Sequence, residues 1–469
     1  MGSVRSLRVV AVVFALAWSA IAHAECVSQM REASSGVFNR TTAGVAWTGT
    51  LLGVAKVDGS GAREITFATY SEGLVPLTSD RLIAGGSFAG VTDLVWNGSE
   101  LGVFYVDATG QLILQRVSTT GEPIGGSIAV APNHPTSKAR EYDADWDPSR
   151  QAYVIVHSVL DGLDKGLWLT ILERNGSVRN EIVVTAIIAT PLHPHVAVNS
   201  SGSIGVLFLR NGVYSSRVFD AAGTGSGIEP LVNARDAVIG SDGSSFVVAG
   251  NAPITGPTDI DFAIVDEHGR ITMPSTKLFG RGAEIQPVSL IWNPTRSEWA
   301  LAYLSSLFPF TQVSGDFRLR RFTASGDLIS DSNFSPDPIL SKLATSLPIV
   351  WTGSSYVSAA SRGASGSLQP DSYVVRHCPL TATIGVPAQV VRAGTSVTFT
   401  ANIDGGAGGN TYSWDFGDGR RSDQGTVTLR FDKLGDYPVV LRVTDAAGAT
   451  SVTTMTLRIV TPRRRAAQH

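Results

Sequence analysis

An internal repeat that fills most of the chain constrains its fold more than any other sequence feature. Each unit contains a short apolar strand ending in Trp or another apolar residue, then a Gly-containing turn and a second apolar strand. Segments 93–105 and 348–359 show this unit most clearly. Gly and Asn tolerate positive φ, so the turn is typical of a tight hairpin. A third strand, a turn with Gly and a fourth strand complete each unit.

The apolar residue that ends the first strand recurs at intervals of roughly 40–60 residues, the range typical of propeller blades. These anchor positions are Trp47, Trp96, Trp146, Val198, Ile239, Trp292 and Trp351. Four short antiparallel strands repeated seven times predict an all-β fold whose main domain, residues 25–379, is a seven-bladed β-propeller. A solenoid of stacked strands is the main alternative, and the four-strand unit disfavours it. We expect the Trp row to pack between blades rather than to bind a ligand.

The N-terminus is predicted to be a secretory signal peptide over residues 1–24. Two arginines precede the apolar run 9–22, and the Ala22-His23-Ala24 sequence is typical of a cleavage site. We therefore expect a secreted or periplasmic protein. The apolar run is shorter than the ~20 residues that a membrane-spanning helix needs, and we predict no span elsewhere in the chain.

The two cysteines of the chain, Cys26 and Cys378, are predicted to form a disulfide in an exported protein. The last repeat unit supplies only three strands, and a ring must close to avoid exposed strand edges. Segment 26–30 is expected to supply the missing outer strand of the seventh blade. Both cysteines would then lie on adjacent strands, close enough to bond.

A different pattern begins near residue 380. Segment 412–419 carries Trp-x-Phe-Gly-Asp-Gly, and Gly435-x-Tyr437 follows. This part of the chain resembles the PKD (polycystic kidney disease) domain family, although 429–431 has Leu-Arg-Phe where the family usually has His-x-Tyr. The resemblance implies an immunoglobulin-like β-sandwich over residues 380–461, which acts as a spacer or as a protein or carbohydrate contact and not as a catalyst. Residues 462–469 are predicted to form a basic tail.

The residues of this motif also fit a sandwich by themselves. Trp414 and Phe416 alternate along the chain, so both are expected to face the core. Asp418 is expected to stabilise the turn between two glycines. Asp415 and Asp418 offer oxygens to Ca²⁺ in principle, but a turn role is favoured.

Common catalytic motifs do not occur in the sequence. It has no Gly-x-Ser-x-Gly nucleophile elbow, no His-Glu-x-x-His zinc site and no phosphate-binding Gly-x-x-x-x-Gly-Lys loop. A net charge of −3 gives no sign of a nucleic-acid partner, which normally requires a basic surface. We predict no catalytic residues and no cofactor, with Ca²⁺ as an open alternative.

One constellation remains as a candidate site. The position three residues before each anchor begins an innermost strand, near the mouth of the central channel. Four consecutive blades place these side chains there: Asp93, Asp143, His195 and Asp236. Carboxylates with a His can coordinate a cation, bond sugar hydroxyls or include a general acid and base. The alternative is that they solvate the channel and cap the starts of strands.

Three functions are compatible with these observations. The favoured one is an exported, non-enzymatic binding or adhesion protein that contacts an extracellular protein or carbohydrate. The second is a polysaccharide-active hydrolase or lyase with its site at the channel mouth. The third is a structural component of the envelope or matrix.

The predicted disulfide can be tested on the mature protein. Reduction, or the double substitution Cys26→Ser/Cys378→Ser, is expected to lower the free energy of unfolding by roughly 2–5 kcal/mol, because the bond closes a very long loop. Denaturant unfolding with and without reductant measures this loss. Equal stability of the double variant and the parent protein would contradict the disulfide.

Overall fold

The computed structural model describes residues 29–35, 44–58, 64–85, 93–132, 141–159, 165–186, 193–252, 259–280, 284–306, 316–334, 348–361, 371–406, 408–446 and 449–461. Regular structure within these ranges is entirely β-strand. No helix capable of crossing a membrane occurs in this part of the chain. The predicted signal peptide, Cys26 and the basic tail lie outside the described residues, so the signal peptide and the disulfide stay predictions.

The first 28 strands form seven antiparallel sheets of four strands each. The first sheet contains β2 (Gly44–Trp47), β3 (Leu52–Asp58), β4 (Glu64–Tyr70) and β5 (Arg81–Gly85). The second contains β6 (Asp93–Trp96), β7 (Leu101–Val106), β8 (Leu112–Val117) and β9 (Pro123–Ala129). The third contains β10 (Tyr142–Asp147), β11 (Ala152–Val159), β12 (Gly166–Glu173) and β13 (Val178–Ala186). In each of these sheets the strands are adjacent in chain order.

The next three sheets follow the same order. The fourth contains β14 (His195–Val198), β15 (Ile204–Arg210), β16 (Val213–Phe219) and β17 (Glu229–Val232). The fifth contains β18 (Ala237–Ser241), β19 (Phe246–Ala252), β20 (Asp259–Val265) and β21 (Ile271–Gly280). The sixth contains β22 (Glu284–Asn293), β23 (Glu298–Ser306), β24 (Asp316–Thr323) and β25 (Leu328–Asn333).

The seventh sheet joins the two ends of this part of the chain. It contains β26 (Ile349–Trp351), β27 (Tyr356–Ser361), β28 (Asp371–His377) and, at its outer edge, β1 (Gln29–Ser35). Strand β1 pairs antiparallel with β28, from Gln29 opposite Arg376 to Ser35 opposite Asp371. An N-terminal outer strand is thus confirmed; it contains residues 29–30 of the predicted segment 26–30, whereas 26–28 lie outside the described residues.

The first strands of the seven sheets lie side by side. Strand β2 contacts β6, and the contacts continue through β10, β14, β18 and β22 to β26. Strand β26 also contacts β2. The first strand of each sheet is therefore an inner strand, with one such strand on either side.

Apolar side chains fill the space between neighbouring sheets. Every residue of β7 and of β11 is buried, whereas the outer strand β9 is mostly exposed. Between the third and fourth sheets, Val154 and Val156 pack with Val206 and Phe208. The middle strands are thus covered on both faces, and their near-continuous apolar sequences follow from this.

The predicted anchors take part in this packing. Each of the seven belongs to, or packs against, a buried apolar cluster. Trp146, for example, packs against a cluster that contains Phe104 of the second sheet and Tyr153 of the third. The expected role of the Trp row in packing between sheets is confirmed.

A buried polar joint crosses from the second sheet to the third. Arg116 forms two hydrogen bonds with Glu100, of 2.6 and 2.8 Å. Asn97, next to the anchor Trp96, donates to the hydroxyl of Tyr153 on the following sheet at 2.8 Å. Because the ion pair is bidentate, neither charge is left unpaired beneath the surface.

The same joint recurs between the sixth and seventh sheets. Arg321 forms two 2.8 Å hydrogen bonds with Glu298, and both side chains are nearly inaccessible to water. Asn293 donates to the hydroxyl of Tyr356 at 2.9 Å, and that hydroxyl donates to Glu298 at 3.0 Å. The sequence therefore repeats a polar joint as well as an apolar core.

The remaining strands form two facing sheets. The three-stranded sheet has the order β29 (Thr381–Gly385), β31 (Ser396–Asp404) and β34 (Thr426–Arg430). The five-stranded sheet has the order β30 (Val390–Arg392), β36 (Thr450–Val460), β35 (Gly435–Thr444), β32 (Thr411–Asp415) and β33 (Arg421–Ser422). A single apolar cluster fills the space between them.

The predicted motif residues lie where expected in this sandwich. Trp414 and Phe416 are buried, and their rings stack with centroids 5.6 Å apart. Asp415 and Asp418 each accept a hydrogen bond from a main-chain N–H two residues later, at 3.0 Å. Both carboxylates therefore stabilise the turn, as the sequence favours.

The buried joint between the sixth and seventh sheets predicts a large mutational effect. Glu298→Ala is expected to lower the free energy of unfolding by about 3–5 kcal/mol, because Arg321 keeps a buried charge without its carboxylate. The matched control is Glu173→Ala, which breaks an exposed pair with Arg179 and should cost far less, because solvent screens that pair. Urea unfolding of the three proteins measures the difference. A loss at Glu298 no larger than the loss at Glu173 would contradict the role of the joint.

Candidate functional site

The four predicted site residues lie at one end of the inner strands. Asp93 and His195 are the first residues of β6 and β14, Asp143 is the second residue of β10, and Asp236 precedes β18. His195 Nδ1 is 3.7 Å from Asp143 Oδ2. The negative charge of Asp143 acts on Asp93, and His195 acts on Asp236. The structure thus brings the four together as an arc of neighbouring pairs.

Three acidic residues at alternate positions join the third sheet to the fourth. Alternate residues of a strand share one face, so Glu141, Asp143 and Asp145 all face the neighbouring inner strand. Their carboxylates accept main-chain N–H groups of the fourth sheet. The bonds are His193 N to Glu141 Oε2 at 2.7 Å, Val196 N to Asp143 Oδ2 at 2.8 Å and Val198 N to Asp145 Oδ2 at 2.9 Å. We call this set the acid ladder.

The strand-start position makes the same link between other neighbouring sheets. Asp93 accepts a hydrogen bond from the main-chain N–H of Ala144 on the third sheet. Ser289 Oγ accepts one from Ile349 N on the seventh sheet at 3.4 Å. In both cases, as at Asp143, the N–H belongs to the residue after the equivalent strand-start position. Side chains at this repeat position therefore bond one inner strand to the next.

Asp93 is held in an environment that disfavours its charge. Its Oδ2 atom is buried and has no hydrogen-bond partner. Burial, and then repulsion by Asp143, raise the pKa of Asp93 well above its usual range, and the bond from Ala144 only partly opposes this. Asp93 therefore keeps its proton to a higher pH than an exposed carboxyl would.

Asp145 is an ionisable residue that the sequence analysis did not assign to the site. Burial raises its pKa to about 7, against the effect of hydrogen bonds from Trp146 N and Val198 N. Repulsion by Asp143 and Asp147 adds to the rise. Asp143, Asp145 and Asp147 alternate in the sequence, which indicates that they share one face of a strand. The sequence does not show that the main chain of the fourth sheet lies against this face.

Two imidazoles are the accessible groups of this arc. His193 and His195 have side chains 42% and 34% exposed. His193 Nδ1 lies 3.5 Å from Glu141 Oε1, which repeats the pairing of His195 with Asp143. His193 also has a left-handed backbone, with φ of 40°, and the bond from its N–H to Glu141 holds it there. Glu141 and His193 thus extend the predicted site by one pair.

Asp236 faces these imidazoles from the fifth sheet. Burial raises its pKa, while the charges of Arg235 and His193 act to lower it. The main-chain N–H of Asp236 donates to Asn251 Oδ1 at 2.7 Å, and Asn251 Nδ2 donates to Ile285 O at 2.8 Å. Asp236 is therefore fixed by its backbone, and its carboxylate is only weakly bonded, at 3.5 Å from Asn251 Nδ2.

This arrangement offers hydrogen-bonding groups of both kinds at one end of the ring. Half-exposed imidazoles and carboxylates can bond hydroxyl, amide or amine groups of a ligand. Among the residues that the structure describes, no three His, Cys, Asp or Glu side chains are grouped so as to hold a metal ion.

Comparison with known proteins identifies the C-terminal domain. Residues 379–460 match the PKD domain family. A microbial collagenase of Vibrio alginolyticus is 37% identical over 83 residues, 16% of this chain, and collagenase ColA of Clostridium perfringens is 39% identical over 49 residues, 10% of this chain. The chain spans only 10% and 4% of the length of these two relatives. The C-terminal domain of this protein is a PKD domain.

The preceding sheets are similar to a solved lectin structure. The BP39L lectin of Burkholderia pseudomallei aligns with 73% of this chain and 98% of its own, at 13% identity and a TM-score of 0.49.

The acid ladder predicts a specific pH dependence. Because the folded-state pKa of Asp145 lies above its ordinary value, the folded protein binds this proton more tightly than the unfolded chain does. Its contribution to stability is therefore present at low pH and is lost as pH rises from about 4 to about 7. Asp145→Asn removes this dependence. Relative to the parent protein, the variant should gain roughly 2–4 kcal/mol between pH 5 and pH 8.

Urea unfolding of both proteins across this pH range measures the gain. The matched control is Asp327→Asn, which changes an exposed turn carboxylate bonded to Ser325. The gain between pH 5 and pH 8 should be larger for Asp145→Asn than for this control. A pH-independent difference for Asp145→Asn would show that this carboxyl titrates alike in the folded and unfolded protein.

Proposed function

We propose that the chain is an exported, non-enzymatic binding or adhesion protein. Its main domain, residues 25–379, is a closed seven-bladed propeller that presents one end to an extracellular protein or carbohydrate. The PKD domain, residues 380–461, supplies a spacer or a second contact. The residues proposed to make the contact of the propeller with its partner are His193, His195 and Asp236.

The order of the sheets supports a closed seven-bladed ring. Seven sheets of four strands each place one strand on the inside, and each inner strand lies against the next, including β26 against β2. Strand β1 completes the seventh sheet, so the first and last parts of the ring share one hydrogen-bonded sheet. This shared sheet removes the exposed strand edges that an open array of sheets would leave.

One observation carries the preference for binding over catalysis: the carboxylates of the acid ladder are held as acceptors for main-chain N–H groups. A glycosidase needs two carboxylates free on either side of the bond that breaks. Asp143 and Asp145 instead bond neighbouring strands. The accessible polar groups beside them suit recognition of a ligand, because their positions are fixed by the ring.

The PKD domain supports export. Its family resemblance implies a module of exported proteins that contacts protein or carbohydrate. An extracellular setting also suits the predicted signal peptide and the predicted disulfide. Partners of these two classes are therefore the first to test.

A thermal-shift screen of the mature protein tests this proposal. The probes are a panel of oligosaccharides, soluble extracellular matrix proteins and divalent cations. Binding to the folded state is expected to raise the melting temperature, and the rise should grow with the ratio of ligand concentration to Kd. The test variant is His195→Ala/Asp236→Asn, because it changes accessible groups and spares the acid ladder. It should weaken binding of an active probe at least tenfold, as measured by calorimetry.

The control is His268→Ala/Asp266→Asn, which changes the same residue types in a turn of the fifth sheet. It should bind like the parent protein. Turnover of an oligosaccharide probe would favour the hydrolase or lyase alternative instead. A probe that binds both variants equally would contradict the proposed contact, and a screen with no active probe would contradict recognition of these ligand classes.

A further inference from the structure

We propose that the PKD domain is not a flexible spacer but is locked to the propeller by Arg296. In this arrangement it is fixed on the end opposite the imidazole arc. This inference deepens the proposed function, because it fixes the distance between the two contacts. The inference is argued from contacts between the two domains and does not depend on the identity of any ligand.

The segment between the two domains is short and buried. Strand β28 ends at His377 and β29 begins at Thr381, so only Cys378, Pro379 and Leu380 connect them. All three are buried. Leu380 belongs to the apolar core of the PKD domain itself. A flexible linker would instead be exposed and polar or rich in glycine.

A turn of the PKD domain closes over this segment. Gly406 N donates to Cys378 O at 3.0 Å. Gly405 has a φ of 72°, and a Cβ atom there would lie 2.4 Å from Pro379 O. Close approach of the two backbones therefore requires glycine at position 405. The turn holds the connecting segment against the PKD domain, so the segment cannot act as a hinge.

Arg296 bonds the sixth sheet to the PKD domain. It lies in the turn between β22 and β23, and its Nη1 donates to Thr381 Oγ1 at 2.6 Å. Its Nη2 is 3.8 Å from Asp404 Oδ2. Thr381 and Asp404 are directly opposite each other on β29 and β31, so one guanidinium contacts both strands at the end of that sheet.

The guanidinium is itself held by the propeller. Its carbon lies 5.5 Å from the ring centroid of Trp351, the anchor of the seventh sheet. The main-chain N–H of Arg296 donates to Asn293 Oδ1 at 3.2 Å, and Asn293 belongs to the buried joint with Tyr356. Arg296 thus joins three bodies: the sixth sheet, the seventh sheet and the PKD domain. Strand β25 also lies beside β36, which adds a second contact between the domains.

The position of Arg296 decides which end of the ring the PKD domain occupies. The imidazole arc lies where the inner strands begin, whereas Arg296 follows the end of the inner strand β22. The PKD domain therefore contacts the opposite end and leaves the arc uncovered by itself. A partner that contacts both domains must span a fixed distance, which suits an extended polymer better than a small molecule.

Distance measurement by electron paramagnetic resonance tests whether the PKD domain is fixed to the propeller, and it needs no ligand. Nitroxide labels are attached through genetically encoded ketone side chains at Ala221 and Asp423, which are exposed positions in the fourth sheet and the PKD domain. The full mature chain should give one narrow distance distribution. Arg296→Ala should at least double its width, and Thr381→Val should widen it less. The matched control is Arg421→Ala, a 79% exposed arginine of the PKD domain, which should leave it unchanged.

Circular dichroism and tryptophan fluorescence confirm that each variant remains folded. A broad or multiple distribution in the parent chain would overturn the locked arrangement. A narrow distribution that Arg296→Ala leaves unchanged would overturn the role of Arg296. Because no ligand is present, neither result depends on the outcome of the binding screen, and the two proposals can fail separately.

Discussion

Burial of both faces of each four-stranded sheet is the constraint on which the rest of the structure depends. The middle strands are apolar on both sides, so a single sheet would expose a large apolar surface to water. Each sheet is therefore stable only when other sheets cover its faces. The first and seventh sheets cover one another through a shared apolar cluster that contains Val54 and Val357.

Hydrogen bonds between neighbouring sheets fix the relative position of sheets that the apolar packing brings together. Apolar contacts alone allow neighbouring sheets to slide, because the hydrophobic effect has no preferred geometry. The acid ladder and the two Asn–Glu–Arg–Tyr joints fix how one sheet sits on the next. The raised pKa values of Asp93 and Asp145 are a cost of this arrangement, since carboxylates must be buried to reach main-chain N–H groups.

The candidate site follows from the same joints. Glu141 and Asp143 hold the backbone of the fourth sheet and thereby place His193 and His195 at half-exposed positions. The two residues therefore act mainly through others, and the most exposed side chains of the arc are the two imidazoles. Arg296 likewise contacts two parts of the chain, because its guanidinium bonds Thr381 of the PKD domain and lies over the ring of Trp351.

The sequence by itself determined the repeat, the four-strand unit, the anchors and the PKD motif, because these depend on local periodicity and turn chemistry. It also placed Asp93, Asp143, His195 and Asp236 at equivalent positions, since a repeat conserves strand register. Only the tertiary structure decided what those side chains do. Whether Asp145 meets solvent or the N–H of Val198, and whether Arg296 meets water or Thr381, depends on neighbours far away in the chain. The pattern of one strand does not show which strand lies beside it, so the sequence alone does not give these contacts.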